Sequence, residues 1–298
     1  MSSLNLFLQN IANGLSLGSL YALIAIGYTM VYGILLLINF AHGEIFMLAP
    51  YFLYFGFLIF HLPWWASAII AIILTAMTGM LSERIAYRPL RDAPKISVLI
   101  SAIGMSFFLQ NLAIVVFSGI PRSVHRPEFF KTLFQFGGIR IQSTLIASVI
   151  VSAIFLAILI YIVYRTKTGL AMRAISSDIE TSRLMSIDVN NTIAITFMIG
   201  SALAAVGGIL WGLRFPQLFP WMGMIPGLKA FIAAVVGGIG NIPGAMLGGL
   251  ILGMSEILFV AFFPALSGFR DAFIFLILIL ILLFKPDGIL GKNVQEKV

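Results

Sequence analysis

The sequence predicts an all-α polytopic membrane protein with about eight to nine transmembrane helices. Hydrophobic residues make up 60% of the 298 residues and charged residues only 10%, and the mean hydropathy is +1.07. Apolar runs of about 20 residues, the length of a helix that crosses a bilayer, alternate with short polar segments along the chain. This composition excludes a soluble globular protein. We therefore expect residues 1–298 to form a single transmembrane domain.

The apolar runs predict the helices in chain order. A long first span carries a stripe of small residues at Gly14, Gly18 and Ala22, a spacing that lets another helix approach closely. Residues 119–141 are predicted to be an irregular polar segment. The predicted spans are 4–37, 44–60, 64–86, 96–118, 142–164, 192–213, an interrupted region at 226–263, and 271–284.

Basic residues predict which side of the membrane the loops face. Residues 83–95 contain four Lys or Arg residues, a density that is typical of a cytoplasmic loop. Lys285, Lys292 and Lys297 place the C-terminus in the cytoplasm in the same way, and nine spans would then put the N-terminus outside. The net charge of +7 is explained by membrane orientation, so it requires no nucleic-acid partner.

The first predicted interruption lies between residues 38 and 51, with the sequence INFAHGEIFMLAPY. It places Asn39, His42, Gly43 and Glu44 between two apolar spans, and Gly43 is free to adopt a positive φ. Non-helical backbone inside a membrane must face protein or a water-filled path. We therefore expect these four residues to line a translocation path. The alternative is a tight turn at the membrane surface.

The second predicted interruption lies in the glycine-rich sequence AVVGGIGNIPGAMLGGLILGMSE. Seven glycines within seventeen residues, together with Pro243, argue against one continuous helix. Two shorter helices that meet between Gly237 and Gly244 resemble the discontinuous helices of transporters. Gly237, Gly238, Gly240 and Asn241 are therefore also predicted to line the path, with a surface turn as the alternative. The two interruptions together indicate, weakly, two related halves.

The segment 165–191 is one of the few long polar stretches of the chain. Between Leu170 and Ser186 it contains no Gly or Pro, and helical spacing places apolar residues on one side and polar residues on the other. Asp178 intrudes on the apolar side. The segment is predicted to be a short amphipathic helix that docks on a cytoplasmic partner, and the alternative is an ordinary solvated connection.

Several kinds of chemistry have no support in the sequence. The Gly291-Lys292 pair lacks the remaining residues of a phosphate-binding loop, so this chain is not expected to hydrolyse ATP itself. The three histidines are widely separated and cysteine is absent, so neither a metal site nor a cofactor is predicted. Glu44 and Glu256 are the acidic residues nearest the interruptions. Because charges are scarce, the path is expected to be wet and to bind substrate weakly, unless Glu44 or Glu256 pairs with a substrate ammonium.

The segment INFAHGEIFMLAPY, the preceding LYALIAIGYTMVYGI, the later LISAIGMSFFLQN and the region 229–256 resemble the branched-chain amino acid permease family of bacterial ABC importers, specifically its LivH-type subunit. The resemblance covers nearly the whole chain. It implies an ABC importer permease bundle in the bacterial inner membrane, paired with a LivM-type second permease subunit, two cytoplasmic ATP-binding subunits and a periplasmic substrate-binding protein.

By the same resemblance, the segment RAISSDIETSRLMSID is the helix that couples the permease to an ATPase. The coupling residues are then expected to include Arg173, Ala174, Asp178, Ser186 and Ile187. The family tends to have Gly where this chain has Ser186. The resemblance implies import of branched-chain amino acids by a subunit that is not an enzyme and that contacts membrane lipid. The alternatives are a urea or short-chain amide permease of the same machinery, and a self-contained facilitator or channel.

Overall fold

The computed structural model describes residues 3–124, 126–136 and 138–291, and these residues form eleven α-helices. Predictions that involve Lys292 and Lys297 lie outside the described residues. The helices are α1 (Ser3–Leu35), α2 (His42–Leu58), α3 (Trp64–Ser82), α4 (Lys95–Phe117), α5 (Ser143–Arg165), α6 (Lys167–Ser177), α7 (Ile179–Leu184), α8 (Val189–Arg214), α9 (Met224–Gly237), α10 (Ile242–Phe262) and α11 (Arg270–Phe284).

Nine of these helices are apolar, which confirms the predicted all-α membrane fold. Seven helical segments of the described chain are long and apolar enough to cross a membrane. The other two, α2 with 17 residues and α9 with 14 residues, are shorter than the about 20 residues of a full span. Helix α2 follows the first interruption, and α9 precedes the second. The predicted pattern of full spans combined with interrupted helices is therefore present.

Helix α1 lies at the centre of the bundle and packs against α10, α8, α9 and α5. Its predicted small-residue stripe is the surface that receives α10. A methyl group in place of the Gly18 hydrogen would lie 2.8 Å from the Leu250 Cα atom, and one on Gly249 would meet the backbone of Ala22. The backbones of the two helices touch because Gly18 and Gly249 have no side chains.

A second close contact joins α2 and α8. Pro50 lies inside α2 and has no N–H to donate to the carbonyl group one turn earlier, at Phe46. Gly208 of α8 packs directly against this Phe46 carbonyl oxygen and against the Pro50 ring. Pro50 and Gly208 therefore belong to one contact. Because Gly208 has no side chain, there is room beside it for the Phe46 carbonyl group, which Pro50 leaves without its usual hydrogen bond.

The segment 119–141 differs from its prediction, because it contains regular strands as well as irregular chain. Leu133–Phe136 (β2) and Ile139–Gln142 (β3) form an antiparallel hairpin, and Arg122–Ser123 (β1) pairs with Gln217–Leu218 (β4). Alternating exposed and partly buried residues in Ile139–Gln142 are a strand signal that the polar composition obscured. These short ribbons join the same ends of α4, α5, α8 and α9.

We expect Gly18→Ala to destabilise the protein by about 1–3 kcal/mol, because the added methyl group overlaps the α10 backbone, which cannot move without displacing the whole helix. Thermal unfolding of the purified protein in detergent measures this effect. Gly104→Ala is the matched control, since no other part of the structure lies within 4 Å of the added methyl group. Equal melting temperatures for the two variants would contradict the proposed α1–α10 backbone contact.

Candidate functional site

The first interruption lies between the end of α1 at Leu35 and the start of α2 at His42. Leu36 adopts a positive φ of 53° there, whereas Gly43 lies within the first turn of α2 and has no positive φ. Gly43 therefore does not use its freedom to adopt a positive φ. Gly43 instead allows a close backbone contact. Its missing side chain leaves space for the Gly223 carbonyl oxygen, which would lie 2.8 Å from a methyl group at Gly43.

After the interruption the chain turns back into the bundle. A methyl group on Gly27 would lie 2.5 Å from Nε2 of His42, and about 12 Å of helix separates Gly27 from the end of α1, at 1.5 Å per residue. The His42 ring packs against Tyr28 with 4.5 Å between ring centres. Helix α2 therefore begins inside the protein and not at the end of α1.

Asn39 and His42 are buried in protein contacts and do not face an open space. The Tyr87 hydroxyl donates a hydrogen bond of 2.7 Å to Oδ1 of Asn39, which ties the interruption to the end of the α3 span. Both side chains are 1% exposed. Their predicted role in lining a path stays a prediction, and the contacts that the structure shows for them are contacts with neighbouring helices.

The start of α9 meets the start of α2. A methyl group on Gly227 would lie 2.8 Å from the Cα atom of Gly43 and 3.5 Å from the Tyr28 hydroxyl. Gly223 precedes α9 as its N-cap and lies against the same residue. Neither α2 nor α9 has a side chain that caps its N-terminus. Two short helices therefore direct their N-terminal ends toward one point in the protein.

A cavity of about 190 Å³ lies at this point, between α2, α4 and α9. Its wall is mostly apolar and includes Phe40, Phe107 and Phe231. Four side chains bring polar groups to it, namely Tyr28, Glu44, Ser106 and Gln110. Of the eight residues predicted to line a path, Gly43 and Glu44 line this cavity. The glycine pair Gly223 and Gly227 was missed by sequence reasoning, although the sequence GMIPG marks it.

The second interruption lies at the opposite end of α9. Gly238 and Gly240 adopt positive φ values of 108° and 89°, so glycine provides this turn as predicted. Asn241 accepts a hydrogen bond from the Gly244 N–H and thereby caps α10. Since α9 has 14 residues, about 21 Å of helix separates this turn from the start of α9, where Gly43 lies. The structure therefore does not bring the two predicted groups of path residues together.

The C-terminal segment covers the second interruption. The N–H groups of Ile289 and Leu290 donate to the carbonyl groups of Val236 and Gly237, at 2.8 and 2.9 Å. The side-chain amide of Asn241 donates to the Leu290 carbonyl oxygen at 2.7 Å. These bonds satisfy carbonyl groups that the end of a helix leaves without partners. The interruption is thus built as a packed turn, and its predicted role in a path stays a prediction.

A buried group of charges joins α9, α10 and α11. Lys229 Nζ lies 2.8 Å from Glu256 Oε1 and 2.7 Å from Asp271 Oδ1. The Tyr21 hydroxyl of α1 donates to Glu256 Oε2 at 2.8 Å. Glu256 therefore already has a cation and a donor, which argues against a direct role in pairing a substrate ammonium. Sequence reasoning missed Lys229, although a single Lys and a single Glu in one apolar region are the signal of such a pair.

A second ion pair lies where the α3 span ends. Arg91 pairs with Glu83, whose side chain is fully buried, and its Nη1 donates to Oδ1 of Asn190 at 2.7 Å. Burial lowers the pKa of the Arg91 guanidinium, and the neighbouring Glu83 carboxylate opposes this shift. The pair connects the 83–95 loop to the first turn of α8.

The segment 165–191 forms two helices and not the single helix that was predicted. Asp178 interrupts them with an extended backbone and caps α7, because its Oδ1 accepts hydrogen bonds from the N–H groups of Glu180 and Thr181. This explains the carboxylate on the predicted apolar side. Met172 and Ile175 are buried against the bundle, whereas Arg173 is exposed and lies over the Tyr164 ring.

The outer surface of this segment is partly apolar. Leu184 is 86% exposed and Met185 is 73% exposed. Helical spacing places Met185 on the apolar side of a single helix, but α7 ends at Leu184, before Met185. Ala174 and Ile187 are partly buried. Ser186 has a positive φ of 60°, which is the conformation that a glycine in the same place adopts without cost.

These features define a class of protein: a multi-pass membrane protein in which two short helices with uncapped N-terminal ends meet inside the bundle, as in transport proteins with discontinuous helices. The sequence profile of the family described as "Branched-chain amino acid transport system / permease component" matches residues 10–282. The chain therefore belongs to this family of permease components.

Individual relatives agree with this assignment. The chain is 43% identical to the high-affinity branched-chain amino acid transport system permease protein BraD of Pseudomonas aeruginosa, with 98% of each chain covered. It is 45% identical to the corresponding permease protein LivH of Salmonella typhimurium, again with 98% of each chain covered. A probable LivH of Methanocaldococcus jannaschii is 28% identical and covers 92% of this chain and 90% of its own.

We expect Lys229→Met to destabilise the protein by about 3 kcal/mol, because it removes the buried cation that Glu256 and Asp271 share. Only the more distant and half-exposed Arg270, at 3.7 and 3.6 Å, then remains beside the two carboxylates. Glu256→Gln should cost less, since Lys229 retains Asp271 as a partner. Thermal unfolding in detergent measures both changes. Lys131→Met is the control, because the exposed Lys131–Glu128 pair is worth about 0–1 kcal/mol. An equal loss for Lys229→Met and Lys131→Met would contradict the proposed importance of the buried cation.

Proposed function

We propose that this chain is the transmembrane permease subunit of a bacterial ABC importer that moves branched-chain amino acids across the inner membrane. The observation that carries the proposal is the similarity to branched-chain amino acid permease proteins over 98% of the chain. The uncapped meeting point of α2 and α9 supports it, because it gives the bundle a polar position within an apolar interior.

The proposed partners are a LivM-type second permease subunit, two cytoplasmic ATP-binding subunits and a periplasmic substrate-binding protein. This subunit then hydrolyses no ATP, and the C-terminus faces the cytoplasm. Alternation of the spans supports this orientation, because the end of α11 and the segment 165–191 then lie on the same side as the basic 83–95 loop. The hairpin of β2 and β3 faces the outside in this arrangement.

The proposed translocation path passes the cavity between α2, α4 and α9. Gly43 and Glu44 from the first interruption and Gly227 from α9 form its inner wall. The cavity faces α4, whose outer surface is largely exposed in this single chain, with 22% of its most apolar stretch buried. A second permease subunit against α4 would close the path on that side.

The proposed coupling element is the segment 165–191. Its buried side, with Met172 and Ile175, fixes it to α5 and α8, so a force on its outer side is transmitted to these spans. Its outer side presents exposed Arg173, Leu184 and Met185. Exposed apolar side chains on a loop that faces water favour a protein partner. A groove on an ATP-binding subunit fits this surface.

Uptake into proteoliposomes that contain the complete importer tests the proposed function. We expect leucine uptake to require ATP inside and binding protein outside, and to be inhibited by isoleucine and valine but not by urea. Leucine flux in liposomes that lack the ATP-binding subunits would instead indicate a facilitator. Uptake of urea without uptake of leucine would indicate an amide permease of the same machinery.

We expect Leu184→Glu to reduce association with the ATP-binding subunits by roughly tenfold or more, because it removes apolar area from the contact and places a carboxylate there instead. Arg173→Glu should act in the same direction. Co-purification of the ATP-binding subunits measures the effect.

Ile120→Glu is the matched control, since Ile120 is 71% exposed and lies just after the end of α4, in the loop that leads to α5. All three variants should insert into the membrane in normal amounts. Normal association and normal substrate-stimulated ATPase activity in Leu184→Glu and Arg173→Glu would rule out this segment as the coupling element.

A further inference from the structure

The cavity between α2, α4 and α9 contains a carboxylate that has no cation. Glu44 is 4% exposed, and its Oε2 has no hydrogen-bond partner among the described residues. Ser106 donates a hydrogen bond to the carboxylate. No Lys or Arg in the described part of the chain forms an ion pair with it. A buried charge of this kind is stabilised when an opposite charge lies beside it.

The position of Glu44 in α2 offsets part of the cost of burying a carboxylate. Glu44 lies in the first turn of α2, and no side chain caps that turn. The positive end of a helix dipole stabilises a negative charge in the first turn. The helix dipole therefore offsets only part of the cost of burying the carboxylate, and a positively charged ligand at the unpartnered oxygen would offset the rest.

The rest of the cavity fits the other parts of a small amino acid. The amide of Gln110 on α4 supplies a hydrogen-bond donor for a carboxylate, and three phenylalanines, at positions 40, 107 and 231, form an apolar wall. The volume of about 190 Å³ somewhat exceeds the roughly 150 Å³ of an engineered protein cavity that admits benzene. One molecule with a short alkyl side chain fits such a space.

We propose that Glu44 binds the α-ammonium group of the transported amino acid, and that the phenylalanine wall contacts its alkyl side chain. This inference rests on the proposed function and names the chemical group that the path recognises. The ammonium group is common to all amino acids, whereas an aromatic wall accepts leucine, isoleucine and valine alike. The subsite therefore distinguishes amino acids from carboxylic acids of the same shape.

Binding of radiolabelled leucine to the complete importer in lipid nanodiscs, without binding protein, tests the subsite. Wild type should bind leucine saturably, and 4-methylpentanoate, which has the alkyl chain and carboxylate of leucine but no ammonium group, should compete poorly. Glu44→Gln should weaken leucine binding roughly tenfold or more, the factor expected for a lost charge-assisted hydrogen bond. In this variant leucine and 4-methylpentanoate should bind with similar affinity, and Glu44→Asp should retain part of the difference.

Glu128→Gln is the matched control, because Glu128 is exposed and lies in the loop between α4 and α5. It should bind leucine as wild type does. Wild-type affinity and wild-type preference for leucine in Glu44→Gln would overturn the subsite. The absence of saturable binding to wild type, while ATP-dependent uptake with binding protein continues, would also overturn it and leave the proposed function intact. Failure of the wild-type importer to take up leucine at all would instead overturn the proposed function.

Discussion

Backbone polar groups that lie in an apolar environment must find partners inside the protein, and the arrangement of the short helices follows from this constraint. At the end of α9 the carbonyl groups of Val236 and Gly237 accept hydrogen bonds from Ile289 and Leu290. At the start of α2 the His42 N–H donates to the Asn39 carbonyl group at 3.1 Å. Each interruption is therefore closed by nearby chain, and glycine stands where two backbones must approach.

Local sequence predicted the elements well, because their signals lie within single segments. Apolar runs predicted the spans, and the Gly14–Gly18–Ala22 stripe predicted a helix contact, which is the contact with α10. The glycine cluster after α9 predicted an interruption that is present in the structure. The partners of each interruption were not predictable in the same way. Nothing within residues 38–51 indicates contact with Gly223 and Gly227, since such contacts join segments that are distant in the chain.

The segment 165–191 also shows that a local sequence pattern does not determine every contact. Helical spacing predicted one amphipathic helix, and it treated Asp178 as an exception to the pattern. The carboxylate of Asp178 is a better partner for the free N–H groups of a new helix than for a continued one. The capping bonds of Asp178 therefore divide the segment into two helices, although the spacing of the apolar residues favours one. As a result Leu184 and Met185 are exposed, in positions that a single helix would not give them.

Two buried carboxylates of this bundle illustrate opposite uses of a charge. Glu256 is neutralised by Lys229 and bonded by Tyr21, so it holds α1, α9 and α10 together and has no free oxygen for a ligand. Glu44 keeps one oxygen without a partner beside a cavity.

A single carboxylate that is not surrounded by further polar groups binds an ammonium group only moderately. Moderate binding suits transport, because a substrate that moves through a membrane protein must leave its site as readily as it enters. In the proposed importer, high-affinity capture is left to the binding protein outside the membrane, and Glu44 supplies the one charged contact that guides the amino acid.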